Sequence, residues 1–136
     1  MRFVVDTGVF VSALIRSQGT TGGVLRVLHD GLFTAINTTS ILVEVIDVLG
    51  RAPFRAKYNI EPDDITALIN LIRLRGELVI PQRNITVYRD PKDDKFLEAS
   101  LVGRADCVVS GDADLLDLTP FEDIPILRPA EFLARL

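Results

Sequence analysis

Short, unbroken apolar runs separated by segments of helical periodicity constrain this chain more than any other feature. Phe3-Val4-Val5 and Cys107-Val108-Val109 are apolar at every position. A strand with one wet face alternates apolar and polar residues, so these runs need cover on both faces. That is the environment of a parallel sheet with helices packed on each side. The segments between the runs repeat their apolar residues at three- and four-residue spacing, and strand–helix alternation of this kind predicts an α/β chain.

The predicted elements follow in order. A strand over Arg2–Val5 feeds a helix that starts directly after Asp6, with Val9, Phe10, Ala13 and Leu14 at helical spacing. Gly22-Gly23 opens a second helical segment that Gly31 ends. Phe33 to Ile36 is a second strand. Thr38, Thr39 and Ser40 offer caps to an apolar helix over Ile41–Leu49. Pro53 to Ile60 reads as a basic, irregular connector. Pro62 starts a helix through Ile65, Leu68, Ile69 and Ile72, which Gly76 stops. Leu78–Ile80 is a third strand, and Asp90-Pro91 initiates a helix to about Val102. Cys107–Val109 and the weaker run Ile124–Leu127 complete the strands, and a helix over Glu131–Leu136 closes the chain after Pro129. With no internal repeat or low-complexity tract, residues 1–136 read as a single domain around one core.

Composition narrows the function classes. Hydrophobic residues at 48% and charged residues at 25% describe an ordinary globular protein. A net charge of −4 argues against a passive nucleic-acid coat. It leaves room for an enzyme whose clustered acids hold a cation, because the bound ion reverses the local field. Cys107, the single cysteine, excludes an internal disulfide and reads as a small buried hydrophobe. No apolar stretch approaches the roughly 20 residues of a bilayer span. Asp6 and Gly8 interrupt the apolar N-terminus, so the expectation is a cytoplasmic protein with no membrane association.

In an open parallel sheet, ligands bind outside the carboxyl ends of the strands. Asp6 ends the first strand, and Asp112 follows the strand of Cys107 to Ser110. Glu44 borders the buried stripe of its helix, with Val48 about 40° and Ile41 about 60° from it at 100° per residue. Asp47 falls further from that stripe. Asp94 lies in the first turns of its helix, flanked by Leu97 and Leu101. Taken singly, each acid has a local reading: Asp6 and Asp112 as helix caps, Asp94 as a complement to a helix N-terminus. Taken together, four partly buried carboxylates are costly without a partner. A divalent cation such as Mg²⁺ offsets that cost, and such a site suits phosphodiester hydrolysis.

Asp6-Thr7-Gly8 also matches the tripeptide of aspartic proteases. That chemistry needs an all-β fold and a second apolar-apolar-Gly element, and the helical patterning is incompatible with it. Phosphatases with an aspartyl nucleophile need an acid two residues after Asp6, where Gly8 stands. His29, the lone histidine, leaves no Ser-His-Asp triad, and no Gly-rich phosphate loop is present.

Four stretches, in this order, carry a family resemblance. They are Asp6-Thr7 at a strand end, helix-borne Glu44, the helix Asp93-Asp94-Lys95-Phe96-Leu97-Glu98-Ala99, and Ser110-Gly111-Asp112-Ala113-Asp114-Leu115. The chain resembles the PIN-domain ribonucleases from residue 2 to about 135, and most closely the prokaryotic branch assigned to toxins of toxin–antitoxin pairs. The resemblance implies a three-layer α/β/α fold around a central, mostly parallel sheet of about 4–5 strands. It also implies a Mg²⁺- or Mn²⁺-dependent endoribonuclease acting on single-stranded RNA, a small antitoxin protein as partner, and a homodimer. Position by position, Asp6, Glu44, Asp94 and Asp112 match the family's acidic quartet. Asp114 matches a further acid, Thr7 and Ser110 match hydroxyls that orient the ligands, and Asp93 is a neighbouring support. Gly8 departs from the pattern, since many members carry Asn there.

Basic residues mark where RNA would lie. Arg83, Arg89, Lys92 and Lys95 lead into the Asp94 helix, and Arg51, Arg55 and Lys57 follow the Glu44 helix. For any one of them a solvated charged surface is the simpler reading. The alternative function, from a different class, is a PIN-like scaffold with little or no catalysis that works by binding RNA or protein.

Overall fold

In the computed structural model, which describes residues 1–82 and 93–136, Arg2–Val5 forms strand β1 at the centre of a parallel sheet. Strands β2 (Thr34–Asn37) and β3 (Gly76–Leu78) lie on one side of it, and β4 (Cys107–Val109) and β5 (Ile126–Leu127) on the other, in the order β3-β2-β1-β4-β5. Every pairing is parallel, with Phe3 opposite both Ala35 and Cys107. The chain moves outward from β1 to β3, then returns past β1 to β4. The switch point therefore falls between β1 and β4, and their carboxyl ends open a crevice there.

The continuous apolar runs are explained by two separate cores. Alternate strand residues point to opposite faces. Phe3, Val5, Cys107 and Val109 enter one core and Val4, Ile36 and Val108 the other. Helices α1 (Thr7–Ile15), α2 (Thr20–His29), α3 (Thr39–Gly50), α5 (Pro62–Leu74) and α8 (Pro129–Ala134) cover the first face. Helices α6 (Asp94–Val102) and α7 (Ala113–Leu116) cover the second. This is the expected three-layer α/β/α arrangement, with a sheet that is entirely parallel. The rings of Phe3, Phe33 and Phe132 meet with centroids 4.8–5.3 Å apart and clamp α8 onto the first face.

Some boundaries differ from the sequence reading. The segment expected to be an irregular connector contains helix α4 (Ala52–Tyr58), with Pro53 in its first turn, where the missing N–H costs nothing. It was hard to read because it has no fully buried residue, and only the short Phe54-Tyr58 pair marks its inner side. Strand β3 begins at Gly76, two residues before the expected Leu78. A Cβ on Gly76 would come within 2.2 Å of the Ile72 carbonyl oxygen and 2.5 Å of that of Ala35, so glycine is required where the strand closes on its neighbours. Helix α2 starts at Thr20, ahead of the glycine pair, and β5 is confined to Ile126–Leu127. The expected helix start at Asp90-Pro91 lies outside the described residues, and the described part of α6 begins at Asp94. Cys107 is buried, and burial pushes its thiol up to about 12. Among the described residues, no helix is long and apolar enough to cross a membrane.

Candidate functional site

Asp6 belongs to the sheet and to the helix after it. Its N–H donates to the Val109 carbonyl at 3.0 Å, extending the ladder by one residue. Its extended backbone then makes it the N-cap of α1, and Oδ1 accepts from the Val9 N–H at 2.7 Å. The other carboxylate oxygen, Oδ2, accepts from the Ser110 hydroxyl at the end of β4. Asp112, two residues further, donates its N–H to the Ser110 oxygen at 2.9 Å and caps α7 by accepting from the Asp114 N–H at 2.7 Å. The local capping roles and the gathering of acids at the strand ends therefore coexist.

Asp6 and Asp112 line a cleft of about 420 Å³ at the switch point, together with Thr7, Gly8, Glu44 and Asp93. Glu44 is half-buried on α3, and Asp47 is exposed, in line with their places on the helical wheel. Of the two adjacent acids, Asp93 lines the cleft and Asp94, the first residue of α6, is buried. Asp114 is exposed. Thr7 is 5% exposed, and its hydroxyl has no hydrogen-bond partner among the described residues. A Cβ on Gly8 would lie 3.5 Å from Asp6 Oδ1, an ordinary contact, so the backbone there has room for a side chain.

Burial raises the Asp6 carboxyl above its ordinary 3.8. The Ser110 and Val9 hydrogen bonds pull it down, while the neighbouring charges of Asp112 and Glu44 push it up again. The last two causes place Asp112 and Glu44 within electrostatic reach of Asp6. No cluster of three or more His, Cys, Asp or Glu side chains is drawn close enough to hold an ion ready-made, among the described residues. The donor set nonetheless suits a hard divalent cation: Asp6, Glu44, Asp93 and Asp112 bring carboxylate oxygens to one cleft, and Asp6 carries the cost that such an ion removes.

The expected RNA-facing residues have other partners. Lys95 pairs with Glu44, Arg51 with Asp47 at 2.9 Å, and Arg55 donates to the Ile60 carbonyl at 3.2 Å. Arg83, Arg89 and Lys92 lie outside the described residues. The cleft also gathers Ser12, Thr21 and Phe96, which the sequence did not single out. Ser12 sits one helical turn after Gly8, and that spacing is the one signal available for it; its hydroxyl meets that of Thr21 at 2.9 Å.

Three comparisons bear on this site. The family model described as PIN domain matches residues 2–114. An uncharacterized protein of Methanocaldococcus jannaschii is 30% identical over 118 residues, which span 87% of this chain and 75% of that protein. Among solved structures, a chain in the crystal structure of VapBC2 from Rickettsia felis, bound to a DNA fragment from their promoter, aligns with a TM-score of 0.60. The alignment covers 94% of this chain and 98% of that one, at 10% identity, and is a likeness of fold.

Proposed function

This chain belongs to the PIN-domain family, whose members are generally nucleases, and on that premise we propose that it is a Mg²⁺- or Mn²⁺-dependent endoribonuclease. The observation that carries the reading is the meeting of Asp6 and Asp112 through Ser110 at the switch point, with Glu44 facing them across the cleft. Asp6, Asp112 and Glu44 would hold the ion, joined by Asp94 or Asp93 from the start of α6, and Asp114 stands at the margin. A divalent ion, when bound, supplies polarisation of the phosphodiester and activation of the attacking water.

The chain's own residues supply the rest. Ser110 orients Asp6 and steadies the Asp112 backbone. Glu44 accepts a proton from the water or aligns it. Thr7 closes the cleft floor beside Asp6. Arg51 and Arg55, with Arg89 and Lys92, are the candidates for phosphate contact, and single-stranded RNA is the substrate that the family resemblance favours. The likeness of fold to a chain of VapBC2 supports a toxin role with a small antitoxin protein as partner. A homodimer is the assembly that the family resemblance implies, and the cytoplasm is the compartment that the composition favours.

The test is RNA cleavage with Mg²⁺ or Mn²⁺, comparing the native protein with Asp6→Asn and Asp94→Asn. Cleavage that survives both substitutions, or persists in EDTA, rejects the mechanism. Co-expression with the product of a small neighbouring reading frame tests the toxin role; growth arrest that this product does not relieve counts against it. A second reading, a weakly catalytic or inactive scaffold that binds RNA or protein, draws on Gly8, which leaves Asp6 without a polar neighbour at that position. Metal-independent RNA binding with no cleavage would favour it.

A further inference from the structure

Lys95 enters the sequence among basic residues expected to meet RNA, and the structure gives it a different partner. Its ammonium donates to Glu44 Oε2, joining α6 to α3 across 51 residues of sequence. The two side chains are only 21% and 27% exposed, against 62% and 65% for the surface pair of Arg51 and Asp47. The difference matters because partly desolvated charges have surrendered much of their water and depend on each other. Glu44 lines the same cleft as Asp6, Asp93 and Asp112. Lys95 thus brings a positive charge to the edge of a group of acids, on a flexible four-carbon stem that can swing aside without moving a helix.

We propose that Lys95 is the resident counter-cation of this cleft: it holds Glu44 while no divalent ion is bound and releases it when one binds. The proposal rests on the metal-dependent reading above. It makes Lys95 a positioning residue that acts through Glu44 and competes with the ion, weakening the site's affinity for it. The charge of Glu44 is compensated in both states, first by the ammonium and then by the ion. A contact between Lys95 and RNA, by contrast, would leave metal affinity untouched and act on substrate binding alone.

The experiment is a calorimetric titration of Mn²⁺ into the native protein, Lys95→Met and Lys95→Arg, with thermal unfolding of each before and after Mn²⁺. Lys95→Met is expected to bind Mn²⁺ about fivefold more tightly, the scale of one modest ion pair. Its metal-free form should melt below the native protein, and saturating Mn²⁺ should close the gap. Lys95→Arg keeps the charge and should stay near the native affinity. Lys95→Gln gives the same reading as Lys95→Met if the methionine variant fails to fold. Unchanged Mn²⁺ affinity with a raised KM for RNA overturns the proposal in favour of a substrate contact. Weaker Mn²⁺ binding overturns it by showing that Lys95 braces Glu44 for the ion. Absence of Mn²⁺ binding in both native and Lys95→Met protein rejects the metal reading itself, whereas equal binding by both rejects only the role of Lys95.

Discussion

Ser110, at the end of β4, donates its hydroxyl to Asp6, at the end of β1, across 104 residues of sequence. The same oxygen accepts the Asp112 N–H, so one side chain ties both strand-end acids to the switch point. This is possible because β1 and β4 are adjacent and in register, with Val5 opposite Val109 one residue before the site.

Replacing Ser110 with alanine should therefore be felt twice. A buried carboxylate loses a donor and the Asp112 N–H loses its acceptor. The unfolding free energy should fall by about 1–3 kcal/mol, read by urea denaturation, and Mn²⁺ binding should weaken with it. An unchanged urea midpoint would show that the hydroxyl is dispensable.

Asp6→Asn should separate stability from activity. The native carboxyl is disfavoured in its charged form by burial and by Asp112 and Glu44, and the amide removes that cost. The metal-free variant should melt about 2–4 °C above the native protein. Metal-dependent cleavage should drop by about 100-fold or more, since even outer-shell changes cost 10–100-fold. A lower melting temperature would show that the charge contributes to the fold.

The same carboxyl predicts a pH dependence of stability. In the unfolded chain Asp6 loses its proton near 3.8, and in the folded chain it keeps the proton to higher pH. Between those two points the folded state binds more protons, so its stability falls as pH rises; below 3.8 the contribution vanishes. The difference in unfolding free energy between native protein and Asp6→Asn, without metal, should decline as pH rises through this window and then level off. A flat difference would contradict the buried, charge-crowded placing of Asp6.

Gly8→Asn restores the residue that many family members carry. The cleft has room for it and α1 tolerates it, because asparagine is the better helix former by a few tenths of a kcal/mol. Thermal unfolding should be unchanged or slightly raised, and RNA cleavage should equal or exceed native. Cleavage below a tenth of native would mean that the open backbone at Gly8 serves the substrate.

Local chemistry made much of the fold legible. Phe3-Val4-Val5 and Cys107-Val108-Val109 read as doubly covered strands because no residue in either run tolerates water, and both lie at the sheet's centre. The wheel of α3 separated half-buried Glu44 from exposed Asp47, since helical period alone sets which face a residue takes. Helix α4 escaped because it has no fully buried residue, and the start of β3 escaped because Gly76 is a plausible helix stop as well as the first residue of a strand.

The sequence by itself determined where each acid stands in its own element: Asp6 and Asp112 just beyond strand ends, Glu44 on the border of a helix, Asp94 in a first turn. Those positions follow from periodicity and capping, which reach only a few residues along the chain. The tertiary structure alone decided which of them meet. Sheet order brings Asp6 and Asp112 together on Ser110, and helix packing gives Glu44 the ammonium of Lys95. Such contacts join residues remote in sequence, so they depend on the packing of two cores against one sheet, which no local pattern encodes.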